Sequence, residues 1–161
     1  MSMPKYKLQV VLDKRERLLD QAEEQVKIRR RELEAEHEKL AQLERELGEI
    51  KARQRQIRDQ ILGVSGDVNM SDVRTLHGFR EKLRWEEERQ REKIAQQRQA
   101  IAAAEDRLRV AREELLAAQR AVEAVEQHKE KWQKEYKKGV EKKEEEERNE
   151  IGSMLYSFRK E

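Results

Sequence analysis

The stretch Gly63-Val64-Ser65-Gly66-Asp67-Val68-Asn69-Met70-Ser71 is the one place in the 161-residue chain where turn-forming residues cluster. Gly63 suits the position just past a helix C-terminus, and Asn69 or Ser71 suits the N-cap of a following helix. Working outward, Ser2 and Pro4 read as a helix start, because proline is tolerated in the first turn. The expected layout is one domain over 1–161: a helix over about 5–62, a loop over 63–70 and a helix over about 71–160. So short a loop lays the two helices antiparallel.

Heptads test that layout. In the first helix one column of apolar positions runs Leu12, Leu19, Val26, Leu33, Leu40, Leu47, Gln54, Ile61. The other runs Leu8, Arg15, Ala22, Arg29, Glu36, Leu43, Ile50, Ile57. The second helix carries Arg80, Glu87, Ile94, Ile101, Leu108, Leu115, Val122 in one column. Its other column is Leu76, Leu83, Gln90, Gln97, Ala104, Ala111, Ala118, Val125. Alternating steps of three and four are the signature of a left-handed coiled coil.

Folding at the loop pairs Leu12 with Val122, Leu19 with Leu115, Val26 with Leu108, Leu33 with Ile101 and Leu40 with Ile94. The same register pairs Leu8 with Val125, Ala22 with Ala111, Ile50 with Leu83 and Ile57 with Leu76. Arg15 and Arg29 fall opposite Ala118 and Ala104, small residues that leave room for a long stem. One register satisfies both columns, which favours an intramolecular hairpin over a parallel dimer. The fold class is therefore all-α, a two-helix antiparallel coiled-coil hairpin. Four layers are polar: Glu36 faces Gln97, Leu43 faces Gln90, Leu47 faces Glu87 and Gln54 faces Arg80. Such layers fix register or permit local opening.

Composition agrees. The chain is 45% charged and 4% aromatic, with one proline and no cysteine. That profile is a long-helix one and too poor in apolar bulk for a compact domain of this length. Net charge is +2, from 37 basic and 35 acidic residues. The signs alternate, so no face shows the uninterrupted basic stripe that nucleic acid requires. No segment approaches the ~20 apolar residues of a membrane span, so no membrane insertion is expected. The lack of cysteine leaves no disulfide framework and is compatible with the cytoplasm.

The same register exhausts helix 1 when helix 2 reaches about residue 128. The remaining residues would project as a helical overhang of about 45 Å, at 1.5 Å per residue. Gly139 and Gly152 are weak points that bracket its charged run. On the overhang, Trp132 and Tyr136 sit one turn apart among lysines; they are either a binding site or a cap against Met3 and Tyr6. Further on, Ile151, Met154, Leu155 and Phe158 share one helical face with no internal partner in reach, which marks an interaction site. Near the loop, Leu76 and Leu83 belong to the seam, while Phe79 and Trp85 lie on its flank, as shielding or as a second docking surface.

Chemistry is otherwise absent. His37, His77 and His128 have no metal-ligand spacing, no phosphate-binding glycine loop is present, and no cofactor is expected. Acidic pairs sit on solvated helix faces, without a cleft to tune a carboxylate for catalysis. An enzyme is not expected.

Two segments carry a family resemblance. "KYKLQVVLDKRERLLDQAEEQV" and the distal "QHKEKWQKEYKK" with "EEEERNEIGSMLY" resemble the YscO/FliJ-like stalk proteins of type III secretion, chlamydial members in particular. Lys7 departs from the many relatives that have proline after the tyrosine. The resemblance covers essentially the whole chain. It implies a hairpin similar to the gamma-subunit stalk of rotary ATP synthases, acting in the cytoplasm, peripheral to the secretion apparatus at the inner membrane. The implied partners are the hexameric secretion ATPase and the cytoplasmic domain of the export gate, then secretion chaperones and the needle-length regulator. On this sequence the ATPase contacts would be Trp132, Tyr136, Ile151, Met154, Leu155 and Phe158. Those of the gate would be Leu76, Phe79, Leu83 and Trp85. The alternative is a self-associating coiled-coil scaffold or spacer.

Overall fold

The computed structural model describes residues 2–63 and 70–160, and its regular elements among those residues are two helices, α1 (Gln9–Leu62) and α2 (Met70–Lys160). They pack against each other as a helical hairpin. The apolar columns explain why. Except for Leu8 and Arg80, every seam residue named above is buried or half-buried, while the residues between them are mostly exposed. Polar residues and good helix formers occupy the outer faces, so each helix has a single stripe to bury.

Contacts divide the chain into two compact units, residues 24–113 and residues 1–23 with 114–161. In the first, Val26, Leu83, Ile94, Ile101, Ala104, Leu108 and Ala111 are buried. Burying a side chain such as Ile or Leu contributes about 1.5–3 kcal/mol. Three glutamines interrupt this seam, and each clasps the opposite helix. Gln97 Nε2 donates to the Glu36 carbonyl at 2.8 Å and to its carboxylate at 2.5 Å. Gln90, 5% exposed, donates to the Leu43 carbonyl and the Glu46 carboxylate, both at 2.9 Å. Gln54 donates to Glu87 at 2.8 Å. The first two layers are those expected from the register. Gln54 instead reaches past Arg80, which is exposed, because Glu87 offers it an anionic acceptor.

These clasps act on the carboxylates. Glu36 is held below its ordinary value of 4.5 chiefly by hydrogen bonds from Lys39 and then Gln97. Glu46 is lowered by Gln90 and then Gln42, and Glu87 by Gln54 and then Arg91. Pairs across the flanks are looser, with Arg98–Glu44 at 3.9 Å and Arg107–Glu32 at 4.0 Å. Both are exposed and contribute little.

In the other unit, Tyr6, Leu12, Val122 and Val125 form a cluster, with Leu19 and Trp132 against it. Arg15, half-buried, donates to the Ala121 carbonyl of α2 at 2.8 Å. The start of α1 differs from the expected residue 5. The Gln9 amide donates to the Tyr6 carbonyl at 3.1 Å, and the Leu12 amide to the Leu8 carbonyl at 3.0 Å, so Leu8 occupies the capping position. In a continued helix Lys5, not Tyr6, would fall on the seam. Leaving the helix delivers the Tyr6 ring to the core and leaves Leu8, expected opposite Val125, 39% exposed.

At the other end of α1, Gly63 follows the last helical residue as expected, and its amide donates to the Asp59 carbonyl at 2.8 Å. Any side chain there would meet that carbonyl at 3.1 Å. Ser71 is not the N-cap of α2, which begins at Met70; its carbonyl accepts the Thr75 hydroxyl at 3.0 Å. The alternative cap, Asn69, and the loop glycine Gly66 lie outside the described residues.

Candidate functional site

α2 continues after α1 has no residues left to face it, and Gly139 and Gly152 both lie inside it. Residues 141–150 are all exposed, and contacts such as Arg148 Nε to the Glu144 carbonyl at 3.2 Å are confined to the helix itself. Two groups of side chains ride on this part of α2.

The first is an aromatic ladder. Trp132 and Tyr136 extend the two seam columns by one heptad beyond Val125 and Lys129, so they point where α1 would be. Its place is taken by the non-helical N-terminal segment. Tyr6 is 8% exposed, its ring centroid 5.1 Å from that of Trp132, with Tyr136 stacked a further 6.4 Å on. The Tyr6 hydroxyl and His128 Nδ1 share a 2.6 Å hydrogen bond. Lys129 donates to the Gln9 side-chain carbonyl at 2.8 Å and sits 6.0 Å from the Tyr6 ring centre. Trp132 is thus half-buried within the chain, and Tyr136 forms the outer rung. Of the two readings of this pair, the capping one describes Trp132 through Tyr6, while Met3, the other expected partner, is 39% exposed. His128, isolated in sequence, is the partner of Tyr6.

The second group is bare. Ile151, Met154, Leu155 and Phe158 share one face of α2 and are 58–76% exposed. Tyr156 lies off that face beside Lys160, whose Nζ is 5.5 Å from the ring. Four large apolar side chains on one turn-to-turn face have nothing in the described chain to cover them.

In the unit of residues 24–113, the four side chains expected near the loop separate. Leu83 is buried in the seam and Leu76 is half-buried, so neither presents a free surface. Phe79 at 52% and Trp85 at 66% are exposed. Sequence reasoning missed a groove close by. Lys51, Arg55 and Arg58 of α1 and Arg80 and Arg84 of α2 line a cleft of about 540 Å³. The signal was the i, i+4, i+7 spacing of basic residues on α1, answered by Arg80 and Arg84 four apart on α2.

No group of three potential metal ligands is present among the described residues, and no helix there is long and apolar enough to cross a membrane.

Comparison with known proteins agrees with this architecture. No curated protein matches the chain in sequence. The YscO-like protein family matches over residues 3–161. Among solved structures, CT670 of Chlamydia trachomatis, described as a YscO homolog, is 31% identical, superposes with a TM-score of 0.83 and covers 98% of both chains. A two-helix hairpin with this sequence pattern along its whole length belongs to the YscO-like family, the stalk-type proteins of type III secretion.

Proposed function

We propose that this chain is the non-enzymatic stalk of a type III secretion export apparatus, inserting the end of α2 into the pore of the hexameric secretion ATPase. The family is a structural component of secretion rather than a family of enzymes. The observation that carries the proposal is the uncovered face of Ile151, Met154, Leu155 and Phe158. It follows a stretch of mixed charge, Glu141 to Glu150, suited to loose electrostatic contact with six similar walls. Tyr136, the outer rung of the ladder, joins the contact, and Trp132 supports it from behind. At the loop end, Phe79 and Trp85 are the side chains offered to the export gate, with Leu76 and Leu83 holding the seam beneath them. Chaperones and the needle-length regulator are further partners in this reading, which places the protein in the cytoplasm beside the apparatus.

The test is titration of the purified protein into its cognate ATPase, following ATP turnover and ring assembly together. Stimulation is expected to saturate near one stalk per hexamer. Replacing Leu155 and Phe158 together with serine should abolish stimulation while leaving helicity intact, since neither side chain is packed. Stimulation that survives the double substitution overturns the assignment. The same exposed face favours one second reading, a scaffold that self-associates through its tails. In that case sedimentation would show concentration-dependent oligomers that Leu155→Ser and Phe158→Ser dissolve, with no effect on the ATPase.

A further inference from the structure

We infer that the cleft lined by Lys51, Arg55, Arg58, Arg80 and Arg84 is a docking groove for a short acidic segment of a partner protein. The groove is a separate surface from the apolar contacts proposed above and does not depend on them. Its five cations converge from two helices on one concavity of about 540 Å³. Glu87 is the acidic residue of the lining, and its carboxylate is already engaged by Gln54 at 2.8 Å and Arg91 at 2.6 Å. Outside the lining, Arg58 lies 3.8 Å from Asp59 and Arg84 3.9 Å from Glu81. All four of those side chains are more than 60% exposed, so these pairs are weak and readily exchanged for a better acceptor. The groove therefore carries a local excess of positive charge in a chain whose net charge is only +2. Four of the five cations are arginines, whose planar forks bind carboxylates in pairs.

Size selects the occupant. Lys51 to Arg58 span about 10 Å of helix, at 1.5 Å per residue. An extended peptide covers that length with about three residues, at 3.3 Å each. A run of three or four acidic residues thus spans the groove and can pair with its four arginines. A duplex or a long single strand would need a basic track continuing past the cleft, and the alternating charges on either side do not provide one.

The full-length protein is titrated against a fluorescein-labelled peptide with four consecutive glutamates, and against the same peptide with four glutamines. Wild-type protein should bind the glutamate peptide at least tenfold more tightly. Replacing Arg55, Arg80 and Arg84 together with glutamine should weaken it at least tenfold. A control with the same charge loss elsewhere, Lys14→Gln, Lys27→Gln and Arg31→Gln, should weaken it less than twofold. All six side chains are exposed, so both triple variants are expected to keep the wild-type helical circular dichroism. Equal loss in the two variants would reduce the effect to net charge and overturn the groove. So would indifference to the glutamines. Tighter, groove-dependent binding of a single-stranded oligonucleotide or of phosphatidylserine vesicles would overturn the acidic-protein assignment.

Discussion

The hydroxyl of Tyr6 lies 2.6 Å from Nδ1 of His128, a residue 122 positions away in the chain. This contact fastens the non-helical segment that precedes α1 to α2. It turns Trp132, which would otherwise be a bare aromatic, into part of a core.

Replacing Tyr6 should therefore be felt at Trp132. In a Trp85→Phe background, Tyr6→Ala is expected to red-shift Trp132 fluorescence and to destabilise this end by about 3–5 kcal/mol, as for other buried aromatics. Tyr6→Phe keeps the ring and removes only the hydrogen bond, at about 1 kcal/mol, with little spectral change. Hydrogen exchange at residues 9–20 would measure both.

Acid should loosen the unit of residues 24–113. Glu36, Glu46 and Glu87 are lowered from 4.5 by the hydrogen bonds they accept, so they bind fewer protons when folded. Their contribution is complete above pH 4.5 and is lost as pH falls through the lowered folded values. Glutamine at all three positions should lower the melting temperature at pH 7 and make its fall below pH 4.5 shallower. A parallel pair of melting curves across that range would show that the clasps add nothing.

Seam residues should differ sharply by chemistry. Ile94, 6% exposed between the Gln90 and Gln97 layers, is expected to cost about 2–4 kcal/mol when cut to alanine. Gln90, 5% exposed, holds a polar layer whose acceptors do not depend on it, because Glu46 can turn to water. Gln90→Leu should fall within about 1 kcal/mol of wild type, or stabilise. Urea unfolding of both variants decides the ranking.

Gly139 lies inside α2, and a β-carbon added there meets nothing within 4 Å. Gly139→Ala should raise local helix stability by about 1 kcal/mol, from propensity alone. Slower amide exchange around residue 139, without a change in the Tyr6 cluster, is the expected result.

The hairpin follows from the heptads alone. Heptad columns from Leu12 to Ile61 and from Leu76 to Val125 admit one antiparallel register, and a helix must bury whichever stripe repeats. Glu36–Gln97 and Leu43–Gln90 were legible for the same reason, since facing positions follow from counting. The bare face at 151–158 was legible because the register leaves no heptad of α1 to face it.

Packing between elements supplied the features that counting along one helix does not capture. Tyr6 is off the heptad, and only a break in α1 at Gln9 brings it to His128 and Trp132. Gln54 passed over Arg80 for Glu87 because its amide donates to a carboxylate, and a guanidinium offers it no acceptor. The cationic groove belongs to neither helix. Lys51, Arg55 and Arg58 are ordinary solvated charges on α1, as Arg80 and Arg84 are on α2. Packing the two helices together sets those charges around one cleft, where their fields add.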